Sequence, residues 1–248
     1  MSTIGSKLQE VKRRLQAACV EAGRSAEILT LAPPAAALGA PSALTLLAVS
    51  KTFGAGAVRE AHAAGQQAFG ENYVQEALAK IEALADLRQG SRPLQWHLIG
   101  PLQSNKTRPV AEAFDWVHSV DRLKLAQRLA EQRPPQLPPL QLCLQVNISG
   151  EASKSGVPPA ELPALAAAVA ALPRERVQLR GLMAIPEPAA TLEAQRLPHR
   201  ALRELLVALN DGGLALDTLS TGMSADLEAA VLEGSTMVRV GTAIFGQR

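Results

Sequence analysis

The chain has 248 residues, of which 47% are hydrophobic and only 3% aromatic, and its formal net charge is +2. This length suits two small domains or one α/β barrel, since such barrels need about 200–250 residues. The basic residues are dispersed and do not alternate with aromatics, which argues against a nucleic-acid partner. No apolar stretch reaches the ~18 residues of a membrane helix, and residues 2–18 lack the apolar centre of a signal peptide. We therefore predict a cytoplasmic protein with no membrane partner.

The cysteines and histidines do not indicate a metal site. Cys19 and Cys143 stand outside any CxxC spacing, which favours two reduced thiols over a disulfide or a metal site. The four histidines form no HxxxH or HxH pair. His62 and His199 fall in helical segments, where we expect both side chains to face solvent.

Short apolar runs alternate with helical patterns along the chain. An amphipathic helix in residues 2–18 comes first, and eight runs are then predicted as strands: 46–50, 67–70, 96–100, 116–120, 140–147, 179–185, 215–221 and 237–241. Helices are predicted at 56–64, 72–87, 105–114, 122–132, 159–172, 192–210 and 225–233. Asp121 and Ser224 are predicted N-caps, and Gly212 with Gly213 is a predicted helix stop.

Continuously apolar strands separated by helices indicate a parallel sheet that helices cover on both sides. Eight such units predict an α/β fold, a single (β/α)8 TIM-type barrel with an extra N-terminal helix. We expect this barrel to form one domain over residues 1–248, and a doubly wound open sheet is the alternative. The Pro-rich segments 33–41 and 133–139 each precede a strand and are predicted as surface loops.

Functional side chains of such barrels gather at the carboxyl ends of the strands. Lys51 ends the first predicted strand, where partial burial would leave a nucleophilic free amine. A surface lysine is the alternative at that position. The same rule selects further candidates: Asn72, His97, Asn147, Met183, residues 220–224 and residues 239–242.

Two late segments combine glycine with small hydroxyl residues. Residues 220–224 (STGMS) open a predicted helix, and Gly241 and Thr242 follow the last predicted strand. Backbone N–H groups at such turns bind phosphate, and barrels commonly use the loops after strands seven and eight for this purpose. An ordinary helix cap at Ser224 is the alternative. A lysine opposite a phosphate cradle is a geometry that suits pyridoxal 5′-phosphate (PLP).

Five longer strings carry a family resemblance. They are residues 48–52 (AVSKT), 69–73 (FGENY), 96–106 (WHLIGPLQSNK), 219–224 (LSTGMS) and 238–246 (VRVGTAIFG). Together they closely resemble the pyridoxal phosphate homeostasis protein family (YggS/PROSC type), over nearly the whole chain. The two Pro-rich segments depart from the family pattern, but both precede strands and so lie on the face opposite the expected site.

The resemblance implies PLP held as a Schiff base on Lys51, in a barrel similar to the N-terminal domain of alanine racemase. It implies that Ser224 binds the phosphate and that Arg239 faces the pyridine nitrogen. It also places Asn72 and His97 in the pocket and Lys154 near its mouth. The predicted cofactor-binding residues are Lys51, Asn72, His97, Met183, Ser220, Ser224, Arg239, Gly241 and Thr242, with no catalytic residue and no metal ligand.

Two functions compete for this site. One is a protein that carries or buffers PLP in intracellular PLP homeostasis, and the other is a PLP-dependent amino-acid racemase or decarboxylase. Arg239 only donates hydrogen bonds, so a pyridine nitrogen facing it is an unprotonated acceptor and a poorer electron sink. Related racemases complete their site with a C-terminal β-domain, whereas this chain ends soon after its eighth predicted strand.

We therefore predict a non-catalytic monomer whose partners are PLP and, as recipients, apo PLP enzymes. A barrel that binds no cofactor is the third possibility.

Overall fold

The computed structural model describes residues 3–33, 43–150 and 155–247. The strands are β1 (Ile28–Leu29), β2 (Leu44–Val49), β3 (Ala68–Glu71), β4 (Gln95–Leu98), β5 (Trp116–Val120), β6 (Leu140–Gln145), β7 (Val177–Met183), β8 (Thr218–Ser220) and β9 (Met237–Val240). The helices are α1 (Ile4–Glu21), α2 (Ala55–Ala63), α3 (Val74–Ala83), α4 (Thr107–Ala113), α5 (Leu123–Gln132), α6 (Leu162–Ala170), α7 (Leu192–Asp211), α8 (Leu227–Leu232) and α9 (Thr242–Phe245). Short 3-10 turns lie at Ala85–Arg88 and Ser104–Lys106.

Strands β2 to β9 form a closed parallel barrel. They are hydrogen-bonded neighbours in chain order, and β2 also pairs with β9, with Leu47 opposite Arg239 and Ala48 opposite Val240. This last pairing joins the two ends of the sheet and excludes an open doubly wound arrangement. The predicted (β/α)8 barrel and its N-terminal helix are confirmed.

The short strand β1 is a ninth strand that the sequence did not reveal. It pairs with the amino end of β2, with Ile28 opposite Leu44, while β3 pairs with the carboxyl end of β2. The carbonyl of Thr30 then accepts hydrogen bonds from the backbone N–H groups of Gln67 and Ala68. Two residues are too few to show the alternation from which a strand is predicted.

The apolar side chains form two layers that the strands separate. On β2, Leu46 and Ala48 belong to the layer that packs against the helices. Leu47 and Val49, which alternate with them, belong to a smaller cluster inside the barrel that also contains Trp116. Period-two alternation therefore decides which side chains enter the barrel, although both faces are buried.

Helix starts differ from the sequence prediction at two sites. Helix α5 has Arg122 rather than Asp121 as its N-cap residue, and the Asp121 carboxylate instead accepts from the Arg122 side chain at 2.7 Å. Helix α8 begins at Leu227 with Asp226 as N-cap residue, so the prediction of Ser224 as a helix cap was wrong. Gly212 is the C-cap residue of α7, as predicted.

The loop at residues 133–139 is held firmly at its first residue. The guanidinium of Arg133 is buried and donates to the carbonyls of Pro138, Ala111 and Phe114. Of the other Pro-rich loop predicted, all but Pro33 lies outside the described residues. Among the helices of the described ranges, none has the length and apolarity that crossing a membrane requires.

Candidate functional site

A cavity of about 490 Å³ opens at the carboxyl ends of the strands. Its walls come from the loops after β3, β4, β6, β7 and β8, which contribute Asn72, Gly100, Asn147, Ile185 and Met223 respectively. Gly100 is required by packing, since a Cβ there would lie 2.2 Å from the carbonyl oxygen of Asn72. The loops after β2 and β9 complete the same end of the closed barrel and carry Lys51, Gly241 and Thr242, which are not among the residues that line the cavity.

Lys51 stands two residues beyond β2 and is half-buried. Its amine makes no hydrogen bond or ion pair to any residue in the described ranges. The next residue, Thr52, has φ = +67° and is the one non-glycine residue with a positive φ in the described part of the chain. A β-branched residue in this region is strained, and the surrounding structure must hold it there.

A buried ion pair lies beside the Lys51 loop. The ammonium of Lys80 is 2.7 Å from Glu71 Oε1, and the hydroxyl of Ser50 donates to the same oxygen at 2.6 Å. Burial raises the pKa of Glu71, and the hydrogen bonds from Lys80 and Ser50 oppose that rise. This cluster was not predicted; its one signal in the sequence is a lysine on the apolar face of α3, four residues after Glu76 and three after the buried Ala77.

The loops after β8 and β9 approach neighbouring residues closely. Gly222 has φ = +97°, and a Cβ on it would lie 2.5 Å from the Ala230 side chain. A Cβ on Gly241 would lie 3.1 Å from the carbonyl oxygen of Val49 at the end of β2. Ser224 is half-buried in the turn before α8, and Thr242 is exposed at the first position of α9, whose first N–H groups have no partner within that helix.

Arg239 projects from β9 into the interior of the barrel and is buried. Its Nη1 donates to the carbonyl and the hydroxyl of Ser220 at 2.5 and 2.9 Å, and its Nη2 donates to the carbonyl of Ala184 at 2.8 Å. Burial lowers the pKa of Arg239 to about 10, although the charge of Asp226 opposes this. The guanidinium therefore stays charged at neutral pH and is fixed in orientation.

From Arg239 a chain of hydrogen bonds runs down through the barrel. Ser220 Oγ lies 2.8 Å from His118 Nδ1, His118 Nε2 lies 3.0 Å from His97 Nδ1, and His97 Nε2 lies 3.0 Å from Gln95 Oε1. The Gln95 oxygen also accepts from the backbone N–H of Ala32 at 2.9 Å. The chain thus links the predicted residues Arg239, Ser220 and His97 through His118, which the sequence analysis did not select.

The groups at the two ends of this hydrogen-bond chain, Arg239 and Gln95, require the same direction of donation along it. An amide oxygen only accepts, so His97 must donate from Nε2 and, when neutral, accept at Nδ1 from His118. His118 then accepts at Nδ1 from the Ser220 hydroxyl, which leaves the serine oxygen to accept from Arg239. Burial lowers the pKa of His118 to about 3, with a further contribution from Arg239, and burial lowers the pKa of His97 well below its ordinary value, with help from His118. Both imidazoles are therefore neutral.

The structure separates the predicted site residues into two levels. His97, Met183, Ser220 and Arg239 are buried inside the barrel, and Met183 is paired with Ser220 in the β7–β8 register. The upper level, at the strand ends, contains Lys51, Asn72, Ser224, Gly241 and Thr242. Of the predicted cofactor-binding residues, Asn72 lines the cavity, whereas the others are not among its lining residues: Lys51, His97, Met183, Ser220, Ser224, Arg239, Gly241 and Thr242. Lys154 lies outside the described residues.

His199 was wrongly predicted to face solvent. It is buried against the loop after β8, where its Nδ1 is 2.8 Å from Thr221 Oγ1 and its Nε2 is 3.3 Å from Asp226 Oδ2. Helix α7 packs this face of its surface on the loop that contains Ser224. Within the described ranges, no group of three histidine, cysteine or acidic residues is placed to hold a metal ion.

Comparisons with known proteins identify relatives of this chain. Residues 35–248 match the family model described as alanine racemase, N-terminal domain. The pyridoxal phosphate homeostasis protein of Pseudomonas aeruginosa is 60% identical over 248 residues, which cover 100% of this chain and 97% of that protein. The Escherichia coli K12 protein of the same name is 51% identical, with coverage of 100% and 98%.

Solved structures agree with the sequence relatives. PipY of Synechococcus elongatus, solved with PLP bound, is 38% identical, covers 98% of this chain and 100% of its own, and superposes with a TM-score of 0.78. Alanine racemase from Corynebacterium glutamicum is 19% identical with a TM-score of 0.60, and the match covers 83% of this chain and 56% of that one. The racemase shares the barrel fold.

We expect the free energy of unfolding to fall as the pH falls from about 6.5 toward 4.5. His97 and His118 remain neutral in the fold, but both gain protons in the unfolded chain below its ordinary histidine pKa of about 6.5. Because the unfolded state then binds more protons, each histidine removes up to about 1.4 kcal/mol of stability per pH unit in this window. Urea unfolding across the window checks this, and a stability that stays constant or rises as the pH falls would contradict it.

Proposed function

Because the chain belongs to the pyridoxal phosphate homeostasis protein family, we propose that it binds PLP as a Schiff base on Lys51 and carries or buffers the cofactor. The observation that carries the proposal is the unpaired, half-buried amine of Lys51 at the carboxyl end of the barrel. An amine in this state can condense with an aldehyde, because no carboxylate or carbonyl holds it away.

The other chemical groups of PLP have matching partners in the same end of the barrel. Its phosphate needs N–H and hydroxyl donors, which the turn at Ser224 and the start of α9 at Thr242 supply. Its ring nitrogen needs a donor from the barrel side, and Arg239 is the fixed donor there. The buried Oδ1 of Asn72 has no partner among the described residues and would accept from a hydroxyl in the cavity. The residues present therefore fit the cofactor.

The proposed cofactor-binding residues are of two kinds: some touch PLP and the others orient the residues that do. Lys51, Asn72, Ser224, Gly241, Thr242 and Arg239 touch the cofactor in this proposal. His97, Met183 and Ser220 act from below, since Ser220 fixes Arg239 and His97 belongs to the chain that orients Ser220. We further propose that the chain is one PLP-binding domain that works as a cytoplasmic monomer and delivers PLP to apo enzymes.

A carrier fits the polar groups of the site better than an amino-acid racemase. Arg239 stays protonated and so favours an unprotonated ring nitrogen, which withdraws electrons weakly. Alanine racemase also has an arginine at this nitrogen, so the second base decides between the two functions. Among the described residues that line the cavity, Glu187 is the one ionisable side chain. Tyr73, the single tyrosine of the chain, is 54% exposed. Two-base racemisation needs a second acid or base held over the cofactor, and no tyrosine is in that position here.

We expect borohydride to fix PLP to Lys51. Reduction of the Schiff base converts it to a stable amine, so mass spectrometry of the digested protein should find the adduct on the peptide with Lys51. Lys51→Ala should abolish the adduct, whereas Lys124→Ala on the outer helix α5 should leave it intact. A reducible adduct that survives in Lys51→Ala would refute the assignment.

The double variant Ser224→Ala, Thr242→Ala should bind PLP more weakly. Each substitution removes a hydrogen bond to a charged phosphate, worth about 1.5–3 kcal/mol, so each should raise the Kd at least about tenfold. Fluorescence titration measures the change. Pyridoxal, which lacks the phosphate, is the matched control and should bind both proteins equally, while a wild-type Kd for PLP in the double variant would exclude this cradle.

The PLP-loaded protein should show no substantial turnover of amino acids. The ring nitrogen is a weak electron sink beside Arg239, and the cavity supplies no tyrosine as a second base. The test is incubation with L-alanine and other L-amino acids in deuterated water, followed by measurement of Cα deuterium and of the D-isomer. Exchange on the order of 1 s⁻¹ or faster would establish the enzyme in place of the carrier.

A further inference from the structure

The buried ammonium group of Lys80 donates to three acceptors, so each of its three N–H bonds has a partner. Lys80 is 6% exposed on α3, and its Nζ lies 2.7 Å from the carbonyl oxygen of Ser50, from Glu71 Oε1 and from Glu76 Oε1. An ammonium group has three N–H bonds, so this set is complete. A lysine with a full set of partners holds each of them at a fixed place.

These partners grip the backbone on both sides of Lys51. Before it, Ser50 receives Lys80 at its carbonyl and donates its hydroxyl to Glu71 Oε1. After it, the backbone N–H of Thr52 donates to Glu76 Oε1, the oxygen that Lys80 also contacts. The Lys51 side chain itself has no partner in the described part of the chain. These contacts therefore fix the backbone position of Lys51 and leave its side-chain amine available.

The strained residue of this loop is the one that Glu76 holds. Thr52 has φ = +67°, which a β-branched residue adopts only when its surroundings impose it. An ion pair that served stability alone would be equally effective with relaxed backbone. Strain placed directly after Lys51, whose amine has no partner among the described residues, points to a constraint on that lysine.

We propose that Lys80, Glu71 and Glu76, here called the Lys80 clamp, are positioning residues for Lys51. This inference rests on the proposed function. In the condensation, the Lys51 nitrogen adds to the aldehyde carbon of PLP and the carbonyl oxygen leaves as water, so no oxidant or reductant is needed. The reaction requires the amine to meet a carbon whose place is set by the phosphate cradle and by Arg239, and the clamp holds the lysine backbone at the matching point.

Glu76 is the residue to change, because it is 29% exposed and contacts Thr52 directly. Removal of Lys80 would leave the buried carboxylate of Glu71 without its charged partner and risks unfolding. The variants are Glu76→Ala, which opens the grip on Thr52, and Glu76→Gln, whose amide oxygen can still accept from its N–H. Glu82→Ala is the matched control, since it removes an exposed carboxylate from the same helix.

The primary measurement is the rate at which PLP becomes fixed to Lys51 when samples are quenched with borohydride at successive times. We expect Glu76→Ala to be about tenfold slower or more, because misplacement of a reacting group by about 1 Å can cost up to ~100-fold. Glu76→Gln should retain most of the rate and Glu82→Ala all of it. Hydrogen exchange of the Thr52 amide should speed up in Glu76→Ala, which shows that the grip has opened.

A second reagent separates positioning from amine reactivity. Reductive methylation by formaldehyde needs no fixed pose, so Lys51 in Glu76→Ala should react within about twofold of the wild-type rate. Slowing with formaldehyde as large as that with PLP would overturn the clamp, and so would wild-type PLP labelling in Glu76→Ala once Thr52 exchange has accelerated. If the wild-type protein itself shows no PLP on Lys51, the proposed function fails.

Discussion

The pairing of β2 with β9 is the constraint on which the site depends. Strand β2 leads into Lys51 and β9 leads into Gly241, and these two strands lie at opposite ends of the sequence. Their hydrogen bonds place the loop that carries Lys51 beside the loop that carries Gly241 and Thr242. Because this pairing joins segments that are far apart in the sequence, the site cannot assemble until the barrel closes, and such non-local pairing is intrinsically slow.

The interior of the barrel combines close apolar packing with a few polar groups that are fully paired. Trp116 lies between two polar neighbours, as the His97 ring stacks on it with centroids 5.3 Å apart and the Arg180 guanidinium lies 4.7 Å from its ring centre. A buried polar group is costly only if it lacks partners. The histidines avoid the larger cost by remaining neutral, and Arg239 avoids it by donating to two carbonyls and a hydroxyl. The result is a barrel interior in which Arg239 and both histidines have defined hydrogen-bond partners.

Much of the fold was predictable because it depends on periodicity and on rules for strand ends. The eight strands of the barrel and the positions of Lys51, Gly241 and Thr242 at strand ends follow from apolar runs and from βα alternation. Strand β1 was not predicted because two residues are too few to show the alternation of a strand. Ser224 was predicted as a helix cap because serine is a favoured N-cap residue. The N-cap position is instead occupied by Asp226, whose carboxylate accepts from the Met223 N–H.

The parts of the site that sequence reasoning missed depend on contacts between distant segments. His118 meets Ser220 across the barrel, and Lys80 meets Ser50 from a neighbouring helix. His199 looked like a surface residue because it occupies a helix, whereas burial depends on which face of α7 meets the loop after β8. The local spacing of residues in the sequence does not indicate contacts between distant segments. His118 offered one usable signal, since it has the same strand parity as Trp116, which fills the barrel interior.

The direction of the hydrogen bonds beneath Arg239 has an electrical consequence. Ser220 points its O–H to His118, His118 points its N–H to His97, and His97 points its N–H to Gln95, so every dipole in the row has its negative end toward Arg239. Aligned dipoles strengthen one another in a medium of low polarity. The row therefore acts toward the guanidinium as the carboxyl end of a helix acts toward a cation, and it spreads a counter-charge through neutral side chains. A positive charge is thereby accommodated in the barrel interior.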